Sequence, residues 1–173
     1  MNPEEHGGHF LNNGGFRITR RQLPRRWDYL LAGPAAAARF CQNGLVSLQL
    51  SPPAGRILCE TPADMQVPPL AVWIHDGEGE PFTHVFSPVS RESLAEPEDF
   101  AADFLPAEVV YSLAQRGWAA RTVFRLDPDN GSLFARITLT NRKPARRSAR
   151  IAVMASTLNA PPGRHAWDPV GLY

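Results

Sequence analysis

The stretch EVVYSLAQRGWAARTVFRLDPDNGSLFARITLT, residues Glu108–Thr140, holds three extended runs separated by two reversals, and its reading decides the fold class. The first run, Glu108 to Ala114, ends at Gln115-Arg116-Gly117. The second, Trp118 to Leu126, ends at Asp127-Pro128-Asp129-Asn130-Gly131. The third, Ser132 to Thr140, sets Leu133, Ala135, Ile137 and Leu139 on one face and Arg136, Thr138 and Thr140 on the other, the period-two pattern of a strand with one wet side. Glycine in each reversal supplies the positive φ that tight hairpins need. Consecutive strands joined this closely run antiparallel, because a parallel pair needs a long crossover.

The same grammar extends outward. Downstream, Arg150 to Ser156 alternates Ile151, Val153 and Ala155 with Arg150, Ala152 and Met154. Upstream, Leu70 to His75, the turn Asp76-Gly77-Glu78-Gly79 and Phe82 to Ser87 read as a second hairpin. Leu45 to Leu50 follows the turn signal Asn43-Gly44 and stops at Ser51-Pro52-Pro53, too short for a helix. Phe16 to Thr19, Trp27 to Leu31 and Arg56 to Cys59 are further extended pieces, and Arg20 to Arg26 is a basic turn between the first two. Two segments point the other way. Pro97 to Phe104 places Phe100, Ala101 and Phe104 at helical spacing behind an acidic start, and Ala35 to Ala38 after Pro34 suits a helical turn. The expected fold is all-β, a two-layer antiparallel β-sandwich with one short helix, spanning residues 16–158. Residues 1–15 are expected to be a flexible tail and 159–173 an extended one. The inner faces are expected to hold Val46, Leu48, Val72, Ile74, Val110, Phe124, Leu126, Ile137, Leu139, Ile151 and Val153.

Composition narrows the function. The 173 residues include 17 prolines and 13 glycines, which disfavours long helices and favours short strands with many turns. A net charge of +1 is unlike a globally basic nucleic-acid binder, and Met1 to Gly8 carries Glu4 and Glu5 with no apolar run. Nowhere do about 18 apolar residues follow one another, so neither a membrane nor a nucleic acid is expected as a partner. Cys41 and Cys59 are too far apart for a C-x-x-C motif and too few for a disulfide scaffold, which suits reduced, buried thiols in a cytoplasmic protein.

The polar residues have structural explanations close at hand. Glycosidic cleavage needs two carboxylates about 5 to 9.5 Å apart across the bond. Asp76, Glu78 and Glu80, like Asp127 and Asp129, sit in turns where such side chains cap the backbone. No catalytic residue is therefore assigned. His6 and His9 are flanked by glycine in the expected tail, no Cys/His cluster backs them or His165, and no metal or cofactor is expected. His75 and His84 are expected to face each other across their hairpin. Arg142 to Arg150 carries five basic residues in nine, as suits a turn and one wet strand face. Trp73, between Val72 and Ile74, points to the face opposite both. An indole can stack on a pyranose, and Trp118, beside Arg116 at a hairpin tip, is the better placed of Trp73, Trp118 and Trp167.

Phe16-Arg-Ile-Thr, Pro24-Arg-Arg-Trp27, Asn43-Gly44, Val72-Trp-Ile-His-Asp-Gly77, Ser87-Pro-Val89 and Leu139-Thr-Asn-Arg142 together form a pattern that resembles the N-terminal β-sandwich of family 94 glycoside phosphorylases. That family includes cellobiose and chitobiose phosphorylases and a region of cyclic β-glucan synthases. The resemblance runs from about Phe16 to Leu158. It implies a supersandwich similar to the galactose mutarotase fold, and a catalytic carboxylate on an (α/α)-barrel outside this chain. The chain departs from the family where Gly79-Glu80 is followed by Pro81-Phe82-Thr83-His84, and where the family's His-Gly-x-Gly-Tyr region is Gln115-Arg116-Gly117-Trp118. The function implied is an accessory, non-catalytic carbohydrate-binding domain whose partners are a β-glucoside or oligosaccharide and either a second copy or a separate barrel-bearing chain. Arg116, Trp118 and His84 are the candidate sugar contacts. The alternatives are a mutarotase-like epimerase working through His75 or His84, and a structural interaction module.

Overall fold

A computed structural model of the protein describes residues 7–23, 26–52, 54–60, 69–85 and 97–156. The described residues form thirteen strands and no helix. In chain order these are β1 (Gly8–Phe10), β2 (Phe16–Ile18), β3 (Asp28–Ala32), β4 (Ala36–Cys41), β5 (Gly44–Leu50), β6 (Ile57–Glu60) and β7 (Leu70–His75). They continue with β8 (Phe82–Val85), β9 (Asp99–Leu105), β10 (Glu108–Gln115), β11 (Trp118–Leu126), β12 (Leu133–Asn141) and β13 (Arg150–Ala155). A six-stranded sheet runs β1-β2-β9-β10-β11-β12, a four-stranded sheet runs β3-β4-β5-β6, and a three-stranded sheet runs β13-β7-β8. Every pairing is antiparallel, as consecutive strands with short connections require.

The meander from β10 to β12 follows the expected reversals. Gln115 pairs with Trp118 and Leu126 with Leu133, so the strands close directly on the two glycine-bearing turns. The expected helix at Pro97–Phe104 is instead β9. Its Phe100, Ala102 and Phe104 are buried while Asp103 pairs with Arg17 on the other face. Three apolar residues at i, i+2 and i+4 satisfy a strand as well as Phe100, Ala101 and Phe104 satisfy a helix. Hydrogen bonding to β10 on one side and β2 on the other settles the choice. The alanines after Pro34 likewise lie in β4, with Ala36 and Ala38 buried. Chain pairing also begins earlier than expected, since Gly8 to Phe10 adds a strand to β2 within the stretch read as a tail. The extension at 159–173 lies outside the described residues.

The six-stranded sheet is one layer, and the two smaller sheets face it. Phe40 of β4 meets Phe124 of β11 with ring centroids 5.1 Å apart, and Tyr111 of β10 packs edge-on against Phe124 at 5.9 Å. Val72 and Val85 from the three-stranded sheet join the same core. The Tyr111 hydroxyl, fully buried, donates to the Cys41 carbonyl at 2.6 Å and so ties the layers by a polar bond inside apolar packing. Near the other end the Tyr29 hydroxyl donates to the Leu105 carbonyl at 2.8 Å. At Gly33 a Cβ would lie 2.7 Å from Pro128, so glycine there lets the β3–β4 turn close on the β11–β12 turn, where Ala35 N–H donates to the Pro128 carbonyl.

Of the expected inner positions Val46, Val72, Ile74, Val110 and Phe124 are buried and Leu48, Leu126, Ile137 and Leu139 half-buried, and three are not where the sequence placed them. Val110 is buried but alternates with the core residues Val109 and Tyr111 and pairs with Val123, which puts it on the outer face. Ile151 and Val153 register opposite Ile74 and Val72 yet remain 43% and 54% exposed, because β13 ends its sheet and no described strand lies over it. Cys41 and Cys59 are buried and not joined to each other. Among the described residues no helix is long and apolar enough to cross a membrane.

Tyr111→Phe keeps the ring contacts and strands the Cys41 carbonyl without its donor. Urea unfolding is expected to show a loss of about 1–2 kcal/mol with an unchanged m-value.

Candidate functional site

The β10–β11 hairpin tip is where the chain concentrates its polar chemistry. Arg116 at φ 50° and Gly117 at φ 76° both lie in the left-handed region, the arrangement of a two-residue hairpin turn whose twist matches the strands. A non-glycine residue there costs of order 1 kcal/mol and needs compensation from its surroundings. Arg116 has it. Its guanidinium donates to the Glu78 carbonyl and, at 2.8 Å, to the Glu80 carbonyl, and lies 4.9 Å from the centre of the Phe82 ring. Its own N–H donates to Glu98 Oε1 at 2.7 Å, and its carbonyl accepts from Arg147 at 3.0 Å.

Asp76 sits at the middle of this corner with its side chain fully buried. Arg116 approaches one carboxylate oxygen at 3.5 Å and Arg147 the other at 3.4 Å. The first oxygen also accepts the Glu78 N–H at 3.1 Å, the turn-capping role expected of an Asp before glycine. Arg147 reaches Glu78 as well, at 3.3 Å, and lies 5.2 Å over the Trp118 ring. Three loops, 76–81, 115–118 and 142–149, are thereby held by two guanidiniums and one buried carboxylate. Asp127 plays the simpler turn role, accepting the Asp129 N–H at 3.0 Å and the Asn130 N–H at 3.3 Å.

The three candidate sugar contacts are distributed unequally across this arrangement. Arg116 keeps a quarter of its side chain exposed. Trp118 is only 5% exposed, and the Arg147 guanidinium lies over its ring. His84 is fully buried, deep between the layers. Its Nε2 lies 3.0 Å from Thr122 Oγ1, and Thr122 is four residues along β11 from Trp118, about 13 Å away on the same inner face. The structure therefore joins Arg116 to Trp118 and leaves His84 apart from both.

His75 and His84 do not meet. The hairpin pairs Ile74 with Phe82 and Trp73 with Thr83, so His75 stands at the turn end while His84 lies beyond Thr83, where the register shifts to pair Val72 with Val85. His75 instead accepts the Gly77 N–H at its Nδ1, 3.3 Å away. Trp73, as expected, is half-buried on the face opposite the fully buried Val72 and Ile74. His9 lies in β1, and His6, His165 and Trp167 fall outside the described residues. No group of three metal-ligating side chains occurs among the described residues.

Two participants were not legible beforehand. Arg21, read as part of a basic turn, is 3% exposed and donates to the Thr83 carbonyl at 2.8 Å and to the His84 carbonyl, with Phe100 under its guanidinium at 5.1 Å. Arg147 was one of five neighbouring cations with nothing in the sequence to single it out. Burial, reinforced by the Arg21 charge, holds the His84 imidazole down to a pKa of about 3. Its Nδ1 has no hydrogen-bond partner, so a proton placed there would lack an acceptor.

No family model matches the chain, and no curated protein matches it either.

Because His84 binds its proton far more weakly when folded than when unfolded, the unfolded state holds more protons between about pH 6.5 and pH 3. The stability it permits is complete above that window and falls with pH inside it, by at most about 1.4 kcal/mol per pH unit. Urea titrations at stepped pH are expected to show this slope in the parent and a shallower one in His84→Gln. Asp76→Asn keeps the turn acceptor but leaves Arg116 and Arg147 without their buried countercharge. It is expected to cost about 1–3 kcal/mol and to speed amide exchange at Gly77–Glu80.

Proposed function

We propose that this chain is a non-catalytic accessory β-sandwich domain of a carbohydrate-active enzyme of the glycoside phosphorylase or glucan-synthase type, acting in the cytoplasm beside a separate catalytic barrel. The observation that carries the reading is the corner at Asp76. Its buried carboxylate is held by two guanidiniums and caps a turn, and Arg147 engages the neighbouring Glu78 as well, which suits a rigid platform for recognition and commits these carboxylates to structural partners.

Support for sugar binding comes from the resemblance together with the rim of that corner. The exposed part of Arg116, the 62% exposed Glu78 and the exposed Glu80 offer the charged and polar contacts that orient hydroxyls. Trp118 and His84 serve that rim from beneath, by supporting Arg147 and the β8 strand. A buried imidazole that charges only near pH 3 is poorly suited to accept a proton from a sugar at neutral pH, which disfavours the epimerase alternative working through His84. Support for a partner chain comes from β12 and β13, which both end their sheets, and from the exposed Ile151 and Val153.

Titration of the isolated chain with cellobiose and longer cello-oligosaccharides, followed by amide NMR, tests the reading. Saturable shifts centred on residues 76–80 and 115–118, with no turnover, are expected. Release of glucose 1-phosphate from cellobiose and phosphate by the isolated chain, or no saturable shift with any of these sugars, would overturn it.

A further inference from the structure

The outer face of the six-stranded sheet carries a feature that the corner does not explain. Arg121, Val123 and Arg125 alternate along β11, so the two arginines stand on one face about 7 Å to either side of Val123. Directly across from Val123, on β12, is Arg136, and across from Arg125 is Phe134. Three guanidiniums thus bracket one valine. Together with Glu108 these side chains line a cavity of about 360 Å³, within the roughly 300–1,000 Å³ range of small-molecule sites.

The charges on this face are balanced at one end and not at the other. Arg17 is forked onto Asp103 by two bonds of 2.6 and 2.7 Å. Arg125 is held by Glu108 at 2.7–2.8 Å, which uses the carboxylate lining the cavity. Arg121 and Arg136 form no hydrogen bond or ion pair among the described residues. Two exposed cations without a protein countercharge beside a cleft, with a 60% exposed phenyl ring next to them, are complementary to an oxyanion carried on a flat apolar group.

We infer that the cleft between β11 and β12 on the outer sheet face is a binding site for a small aromatic phosphate or carboxylate, with Arg121 and Arg136 holding the oxyanion and Phe134 the ring. The site is independent of the proposed sugar-binding rim. Phosphate and carboxylate present the same chemistry to a guanidinium fork, and the probes separate them.

Phenyl phosphate, benzoate, inorganic phosphate and benzyl alcohol are titrated into the full chain and followed by amide NMR. Phenyl phosphate or benzoate is expected to saturate, the tighter of the two identifying the oxyanion, with inorganic phosphate weaker by about tenfold. Arg121→Gln and Arg136→Gln are each expected to weaken binding by about tenfold, and Phe134→Ala to erase the advantage over inorganic phosphate. Without ligand, the double arginine variant is expected to melt at the same temperature or higher, since like-charge repulsion is relieved. Four results would overturn the assignment: no saturation by either aromatic anion, equal binding of benzyl alcohol, a lower melting temperature in the double variant, or binding of a short single-stranded oligonucleotide where phenyl phosphate fails.

Discussion

The bond from the Tyr111 hydroxyl to the Cys41 carbonyl, seated among Phe40 and Phe124, is the contact on which the rest of the molecule hangs. The facing layers of a sandwich are not joined by a backbone ladder, so, away from the turn contact of Ala35 with Pro128, side chains must register them. Apolar packing alone is non-directional. A buried hydroxyl that must find one acceptor fixes the offset between β10 and β4, and the aromatic rings around it keep water from competing. Once that offset is set, β8 lies under β11 and the tips of two hairpins fall together.

From that placement follows the polar corner. Asp76, Arg116 and Arg147 come from three separate turns; the two guanidiniums donate to main-chain carbonyls and flank Asp76, whose carboxylate also accepts the Glu78 N–H. The left-handed backbone at Arg116 is tolerable because its side chain gains contacts that a glycine would forgo. The interior pair at Arg21 and His84 obeys the same logic in a drier setting. The arginine spends its donors on carbonyls of β8, and the imidazole beside it stays neutral. Polar groups are placed inside this fold to hold strands in position.

Much of the architecture was legible where local pattern and global pairing agree. From Glu108 to Thr140 the alternation and the glycine-bearing turns leave one interpretation, and the strands form there. Pro97 to Phe104 misled because its apolar residues satisfy two periods at once, and the neighbours that decide between them are remote in sequence. The opposed pair His75 and His84 failed because the hairpin closes on its turn in another register, Ile74 against Phe82, which leaves one histidine at the turn end and carries the other along β8 toward Val72. Trp118 was read correctly as belonging to the tip with Arg116, but the cation covering it, Arg147, comes from a loop remote in the chain.

The amino-acid sequence by itself determined that this is an antiparallel β protein, where its main hairpins turn, and that Asp76 and Asp127 cap those turns. These are short-range properties, set by side-chain alternation and by the φ angles that glycine, asparagine and aspartate permit. Only the tertiary structure decided which arginines are buried, which histidine stays neutral, which tryptophan face is covered and which cations stand unpaired beside a cleft. Those outcomes depend on what lies across the gap between layers or on the adjoining strand, and such distances arise only after the chain has folded.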